Sequence, residues 1–262
     1  MSERLARVIA PLVVGFLFLV AWEAFVRLEA VPVYVLPGPL LVVETLWRDG
    51  PSLLGSLLVT LRITVAALAA AVVLGGALAI LFAQSRLIEI SLFPFAVILQ
   101  VTPILAIAPL IIIWLRDEVF LSLLICAWIV AFFPVLANTT LGLKSADRNL
   151  ADLFRLYGAS RWQSLRYLRL PAALPFFLTG VRISGGLALI GAIAAEFVAG
   201  TGGAETGLAS RILESYYRLQ VPRLFAALVL LGATGIAIFA LLSWVSRRAI
   251  GHWHESALAE EE

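Results

Sequence analysis

Lysine is almost absent from this chain: Lys144 is the one lysine among 262 residues, and it follows Leu143. A phosphate-cradling loop needs Gly-Lys-Ser/Thr, so the chain does not hydrolyse ATP by that machinery. Histidine is nearly as scarce. His252 and His254 stand two apart beside Trp253, on different faces of a helix, which argues against a shared metal. No His-Glu-x-x-His and no Gly-x-Ser-x-Gly occurs, so protease and hydrolase chemistry has nothing to rest on. The lone cysteine, Cys126, sits in an apolar run and reads as a small buried hydrophobe rather than part of a disulfide framework. Charge is short too, at 14% of residues against about 25% in an ordinary soluble domain. With 62% hydrophobic residues and a mean hydropathy of +1.02, a water-soluble globule is excluded. A net charge of +2 gives no reason to expect a nucleic-acid partner.

What the chain has is apolar length. Segments near 8–27, 58–83, 90–114, 119–142, 172–199 and 223–246 each approach the roughly 20 apolar residues that cross a hydrocarbon core of about 30 Å. The expected fold class is an all-α integral membrane protein with about six transmembrane helices, one transmembrane domain over 1–262 in contact with lipid. Arg4 and Arg7 precede the first run as in a signal peptide, but no A-x-A site follows, so a retained span is expected. Six crossings put both termini on one side. Taking that side as the cytoplasm, Arg4, Arg7, Arg86, Lys144, Arg148, Arg155, Arg161, Arg166, Arg169, Arg247 and Arg248 lie inside. Arg27, Arg48, Arg116, Arg211, Arg218 and Arg223 lie outside. The positive-inside bias therefore favours a multi-pass protein with N-in and C-in termini. Two further stretches, 37–56 and 207–220, read as helices lying along the outer membrane surface. The acidic tail Glu260–Glu262 reads as a solvated end.

Between the fourth and fifth spans lies the polar interruption 144–171. Leu150, Leu153, Phe154 and Tyr157 recur at i, i+3, i+4 and i+7, one face of a helix. Gly158 breaks that pattern. Ser160 to Gln163 has the form of a capping box opening a second short helix, with Trp162, Leu165 and Leu168 on one side and Pro171 as its stop. Arg155, Arg161, Arg166 and Arg169 fall on or near the polar side.

Inside the spans, ionisable groups cost about 2.5–3.5 kcal/mol each at a helix centre, so each one needs a reason. Glu23 and Arg62 stand near span ends. Arg182 lies about 11 residues into the fifth span, deep enough to need a partner. Gly180, Ser184, Ala188 and Ala192 recur every four residues, and Glu196 continues the row. Such a ridge lets a helix approach closely; Ser184 and Glu196 are also candidates for lining a pathway, and for Glu196 a structural hydrogen bond is the even alternative. The third span holds Pro94, Pro103 and Pro109 with Gln100 and Thr102. A broken, polar-tinged helix is expected there, with Gln100, Thr102 and Pro103 as pathway liners, since carbonyls freed by proline need neighbours or a water-lined cavity.

The stretch DLFRLYGASRWQSLRYLRLPAALP resembles the cytoplasmic "EAA" loop of permease subunits in binding-protein-dependent ABC importers. Asp152-Leu153-Phe154 occupies its first positions, Gly158 is its glycine, and Leu168, Leu170 and Pro171 close it. The glycine-to-proline spacing is kept, while the two alanines are lost and glutamate has become aspartate. LPGPLLVVETL, LRIT, QVTPILAIAPLIIIW, LTGVRIS and AAEFVAG are similar to segments of nitrate, sulfonate, taurine and thiamine-precursor permeases, so the likeness runs from about 30 to 248. Where those relatives carry a glycine-rich turn, this chain has Leu115-Arg116-Asp117-Glu118.

The resemblance implies a type I importer permease (MetI-like) fold in a bacterial or archaeal inner membrane. It implies two ATPase subunits that carry the ATP and Mg, so that this chain is no enzyme and needs no cofactor of its own. It also implies a second permease copy, as a homodimer, and an extracytoplasmic solute-binding protein. Asp152, Phe154, Arg155, Gly158, Ala159, Ser160 and Arg161 would seat in a groove of the ATPase. The rival class is an ion-coupled secondary transporter, for which Glu196 is the deep acid and of which internal repeats would be the sign.

Overall fold

A backbone in lipid must satisfy its own hydrogen bonds, and long apolar runs without strand-like alternation do so as helices. The computed structural model describes residues 3–200 and 206–250, helical along most of their length, with no strand among them. In chain order the helices are α1 (Glu3–Leu28), α2 (Pro39–Gln84), α3 (Arg86–Val101), α4 (Ile104–Trp114), α5 (Val119–Lys144), α6 (Arg148–Leu156) and α7 (Arg161–Ser164). A π turn (Leu165–Arg169) leads into α8 (Leu170–Ala199), followed by α9 (Leu208–Tyr217) and α10 (Val221–Ile250). His252, His254 and Glu260–Glu262 lie outside the described residues.

The spans come out as five long apolar helices plus one bent pair, α3 and α4, which turn by 99° at Thr102–Pro103. The expected break in the third span is therefore present, and Pro103 makes it. Pro94 and Pro109 are absorbed inside their helices. Three expectations are corrected. The stretch 37–56 is no separate surface helix: from Pro39 it is the first half of α2, whose 46 residues include Pro51 and run about 69 Å along the axis. Pro171 does not stop a helix, because the π turn ahead of it shifts the register and Leu170 N–H bonds Leu165 O, so helix continues to Ala199. α9 is helical as read, but Leu208, Ala209, Ser210, Ile212 and Ser215 are buried in protein rather than laid on lipid.

The chain divides into two compact units, Met1–Val59 with Gly200–Gly232, and Thr60–Ala199 with Ala233–Glu262. In the first unit, Glu23 of α1 accepts from Arg27 Nε at 2.6 Å and from Leu40 N–H at 3.2 Å, so a carboxylate sits at the start of α2. Gly38 makes room for it, since a Cβ there would stand 2.6 Å from Glu23 Oε2. Arg211 donates to Ser56 at 3.1 Å, and Arg223 to Ser52 at 3.1 Å, which ties α9 and α10 to α2.

The second unit is built on α5 and α8, packed antiparallel with almost no side chain between them. A Cβ on Gly142 would meet Ala173 Cα at 2.8 Å, one on Gly180 the Pro134 carbonyl at 2.7 Å, and one on Gly191 Ala127 Cα at 2.8 Å. Ser184 Oγ donates to Ala131 O at 2.6 Å in the same seam. The small-residue row is thus a packing ridge, with Ala188 and Ala192 fully buried.

In the same unit the bent pair runs from one end of α5 to the other. The Lys144 ammonium donates to Glu89, so α3 begins beside the end of α5. The pair must then reach the start of α5, which lies 26 residues, or about 39 Å, away. Sixteen and eleven residues bent by 99° span about 27 Å end to end, close to the roughly 30 Å core. The short link Leu115–Glu118 completes the distance. Counted as one span, the pair brings the candidate crossings among the described residues to six.

Candidate functional site

The element between α5 and α8 is shaped by local chemistry. Asp147 caps α6, accepting from Asn149 N–H at 2.7 Å and Leu150 N–H at 3.2 Å. Its far end is a Schellman motif: Ala159 N–H bonds Phe154 O at 2.9 Å and Gly158 N–H bonds Arg155 O at 3.0 Å. That geometry needs a left-handed residue, which is Gly158 at φ +68. The next helix opens on the capping box as read, with Gln163 N–H to Ser160 Oγ at 3.2 Å and Ser160 N–H to Gln163 Oε1 at 2.7 Å.

The base of this element is anchored and its tip is bare. Leu165 is buried in a cluster with Phe82, Ala96, Leu136, Leu143 and Ala173, and Leu168 is buried as well. Arg169 donates to Ala83 O at 3.1 Å, and Lys144 and Arg86 both grip Glu89. The ends of α2, α3 and α5 are thus tied to one another and to the root of α8. By contrast Leu150, Leu153, Leu156, Tyr157 and Trp162 are exposed, Leu156 by 82%. Trp162 was expected to share a side with Leu165 and Leu168, but it faces out while they turn in.

Of the residues read as coupling, Asp152 and Arg155 are exposed and paired with each other at 2.9 Å. Gly158, Ser160 and Arg161 are exposed, and Phe154 and Ala159 half-buried. All seven fall within one bent element. The pathway candidates are not gathered in this way. Gln100 and Pro103 are exposed at the bend, and Thr102 bonds Ile98 O at 2.6 Å as the cap of α3. Ser184 is buried in the α5–α8 seam, and Glu196, 1% exposed, accepts from Thr60 Oγ1 at 2.7 Å. The guanidinium of Arg182 lies 5.9 Å from the Phe239 ring centroid.

Sequence reading passed over Asp147, Glu89 and the second role of Arg169. Asp147 carried a legible signal, an N-cap residue before a periodic run. The Glu89–Lys144 bond links positions 55 apart and leaves no local trace. Among the described residues no group of three or more His, Cys, Asp or Glu is placed to hold a metal.

Residues 71–251 match the family of binding-protein-dependent transport system inner membrane components. The riboflavin transport system permease protein of Chloroflexus aurantiacus is 34% identical over 249 residues, covering 92% of this chain and 88% of that protein. A putative aliphatic sulfonates transport permease of Bacillus subtilis is 31% identical over 240 residues, covering 90% and 84%. A crystal structure of an amino acid ABC transporter with histidines superposes at a TM-score of 0.64 and 20% identity, covering 78% of this chain and 97% of that one, a likeness of fold.

Proposed function

The chain belongs to the binding-protein-dependent transport system inner membrane components, and from that premise we infer how its parts divide the work of an ABC importer. It is a multi-pass membrane permease of this type, helical throughout its spans. The 144–171 element is the seat of a separate ATPase, which carries the ATP and Mg, and Asp152, Phe154, Arg155, Gly158, Ala159, Ser160 and Arg161 form the contact. Two ATPases, a second copy of this permease and an extracytoplasmic binding protein complete the assembly. The termini and this element face the cytoplasm.

One observation carries the reading: an amphipathic helix whose leucines are bare sits on a base bonded to three span ends. Bare apolar surface outside the lipid calls for a partner. The bonded base gives force applied there a route to α2, α3 and α5. The ATPase can drive the permease only by binding its two conformations unequally, and a rigid root makes the two conformations differ at the contact. The bend at Thr102–Pro103, with Gln100 beside it, is the part of the pathway that changes. Ser184 and Glu196 support it from the packed side.

The relatives' names, a riboflavin and a sulfonate system, do not agree on a solute, so the class carried over is a small solute handed over by a binding protein. An ion-coupled secondary transporter is not favoured: Glu196, the acid it would use, is buried and bonded by Thr60. The test is affinity capture of an ATPase by the full-length permease from its own membranes. Gly158→Pro or Asp152→Arg is expected to abolish capture and ATP-dependent uptake together. Capture and uptake that survive both substitutions would overturn the assignment.

A further inference from the structure

Arg182 is the one charged residue at mid-depth in α8. It stands twelve residues beyond Leu170, about 18 Å along the axis, too far for its head to reach the interface marked by Arg169, Lys144 and Arg86. Phe239 lies at a matching depth, eleven residues before Ile250, about 17 Å. Neighbouring polar side chains bond carbonyls of this chain: Ser184 to Ala131, Thr179 to Pro175, Thr140 to Leu136 and Asn138 to Pro134. Arg182, half-buried, has the Phe239 ring and no carboxylate in ion-pair reach among the described residues. The next acid along α8 is Glu196, about 21 Å further on and already bonded by Thr60. On the same stripe of α8, Gly186 opens onto free space and Ile190 is 58% exposed, so the described residues leave the stripe uncovered.

We propose that Arg182, steadied by Phe239, is the point in the translocation pathway that recognises an anionic group, a carboxylate, sulfonate or phosphate, on the solute. A guanidinium offers five N–H donors and no acceptor, and its fork matches such groups in a bidentate way. The aromatic ring satisfies one face of the cation while leaving donor edges unspent. This rests on the chain being the pathway subunit of an importer, and it supplies the solute class that the relatives leave open.

The full-length wild-type permease, reconstituted in zwitterionic lipid, is treated with the arginine reagent phenylglyoxal and each adduct is mapped by mass spectrometry. Arg182 is expected to react, and ethanesulfonate, benzoate or inorganic phosphate to slow that reaction about tenfold, while the neutral ethyl methyl sulfone does not. Arg116, exposed at the far end of α4, is expected to react equally in every arm. An unreactive Arg182 would overturn the proposal by placing it against a second copy or another protein group. So would reaction unaffected by all three anions, or protection only when anionic phospholipid is added. ATPase capture by the same preparation separates the failures. Capture with an unprotected Arg182 sinks the anion site alone, and protection without capture sinks the coupling reading alone.

Discussion

Glycines 180 and 186 sit six residues apart on α8 and face opposite fates. A Cβ at Gly180 would press against the Pro134 carbonyl at 2.7 Å and Val135 Cα at 3.1 Å, backbone atoms that cannot turn aside. Gly180→Ala is expected to cost about 1–3 kcal/mol as an overpacked seam and to lower the melting temperature in nanodiscs. Gly186→Ala, with nothing within 4 Å, is expected to hold or raise it by helix propensity. Equal losses at both positions would contradict the seam. Glu214 offers a second residue-scale test. The hydrogen bond from Arg211, with Arg218 and Arg223 nearby, holds its carboxyl below the ordinary 4.5. Its contribution is therefore present above that value and lost as pH falls through the lowered one. Glu214→Gln should lower stability in the neutral region and converge with the wild type in acid, flattening the acid limb of a stability–pH profile. Single residues differed in how far they could be read from sequence. The row from Gly180 to Glu196 was legible because a period of four needs only local counting. Arg182 was legible as a problem, since depth alone demands a partner, but that Phe239 is that partner depends on how α8 and α10 meet.

At the scale of elements, the loop from α5 to α8 was legible in detail because capping and bending are local. Asp147, Gly158, Ser160 and Gln163 each act within five residues of themselves. Gly158→Val puts a β-branched side chain at φ +68 and is expected to cost about 1–2 kcal/mol, unhinging α6 from α7 and cutting ATP-dependent uptake. Gly158→Asn, which tolerates that conformation, is expected to keep most of the uptake. Hydrogen exchange at Arg161–Ser164 should rise with Ser160→Ala, by about 1 kcal/mol of lost cap. Unchanged exchange there would mean the box does no holding. The misreadings at this scale share one cause. Glu44, Arg48 and Asp49 among apolar residues made 37–56 read as a surface helix apart from the second span, and Pro171 suggested a helix end. A polar helix outside the lipid and a π turn ahead of a proline both let the backbone run on.

Across the whole molecule, the proposed crossing number and orientation can be tested on residues that share an end. Ion pairs join Arg86, Glu89 and Lys144 at one end of the second unit, while Arg116 and Asp117 pair by themselves at the other. Sequence reading placed Arg86 and Lys144 inside and Arg116 outside from charge bias alone, and the ion pairs put the first two at one end of the unit and the third at the other. The prediction is directional. Cys126 is fully buried and should not take a membrane-impermeant maleimide, so single cysteines can be introduced on the native background. Asp117→Cys, at a side chain 93% exposed, should label in intact cells. Arg86→Cys and Leu156→Cys, at positions 72% and 82% exposed, should label only once the membrane is opened. Labelling of 86 together with 117 would mean that α3 and α4 double back, breaking the count of six. Labelling of 156 from outside would invert the molecule and remove the 144–171 element from any ATPase, since ATP is handled on the cytoplasmic side. The two failures are separable, because the first concerns one bent pair and the second the sign of the whole assembly.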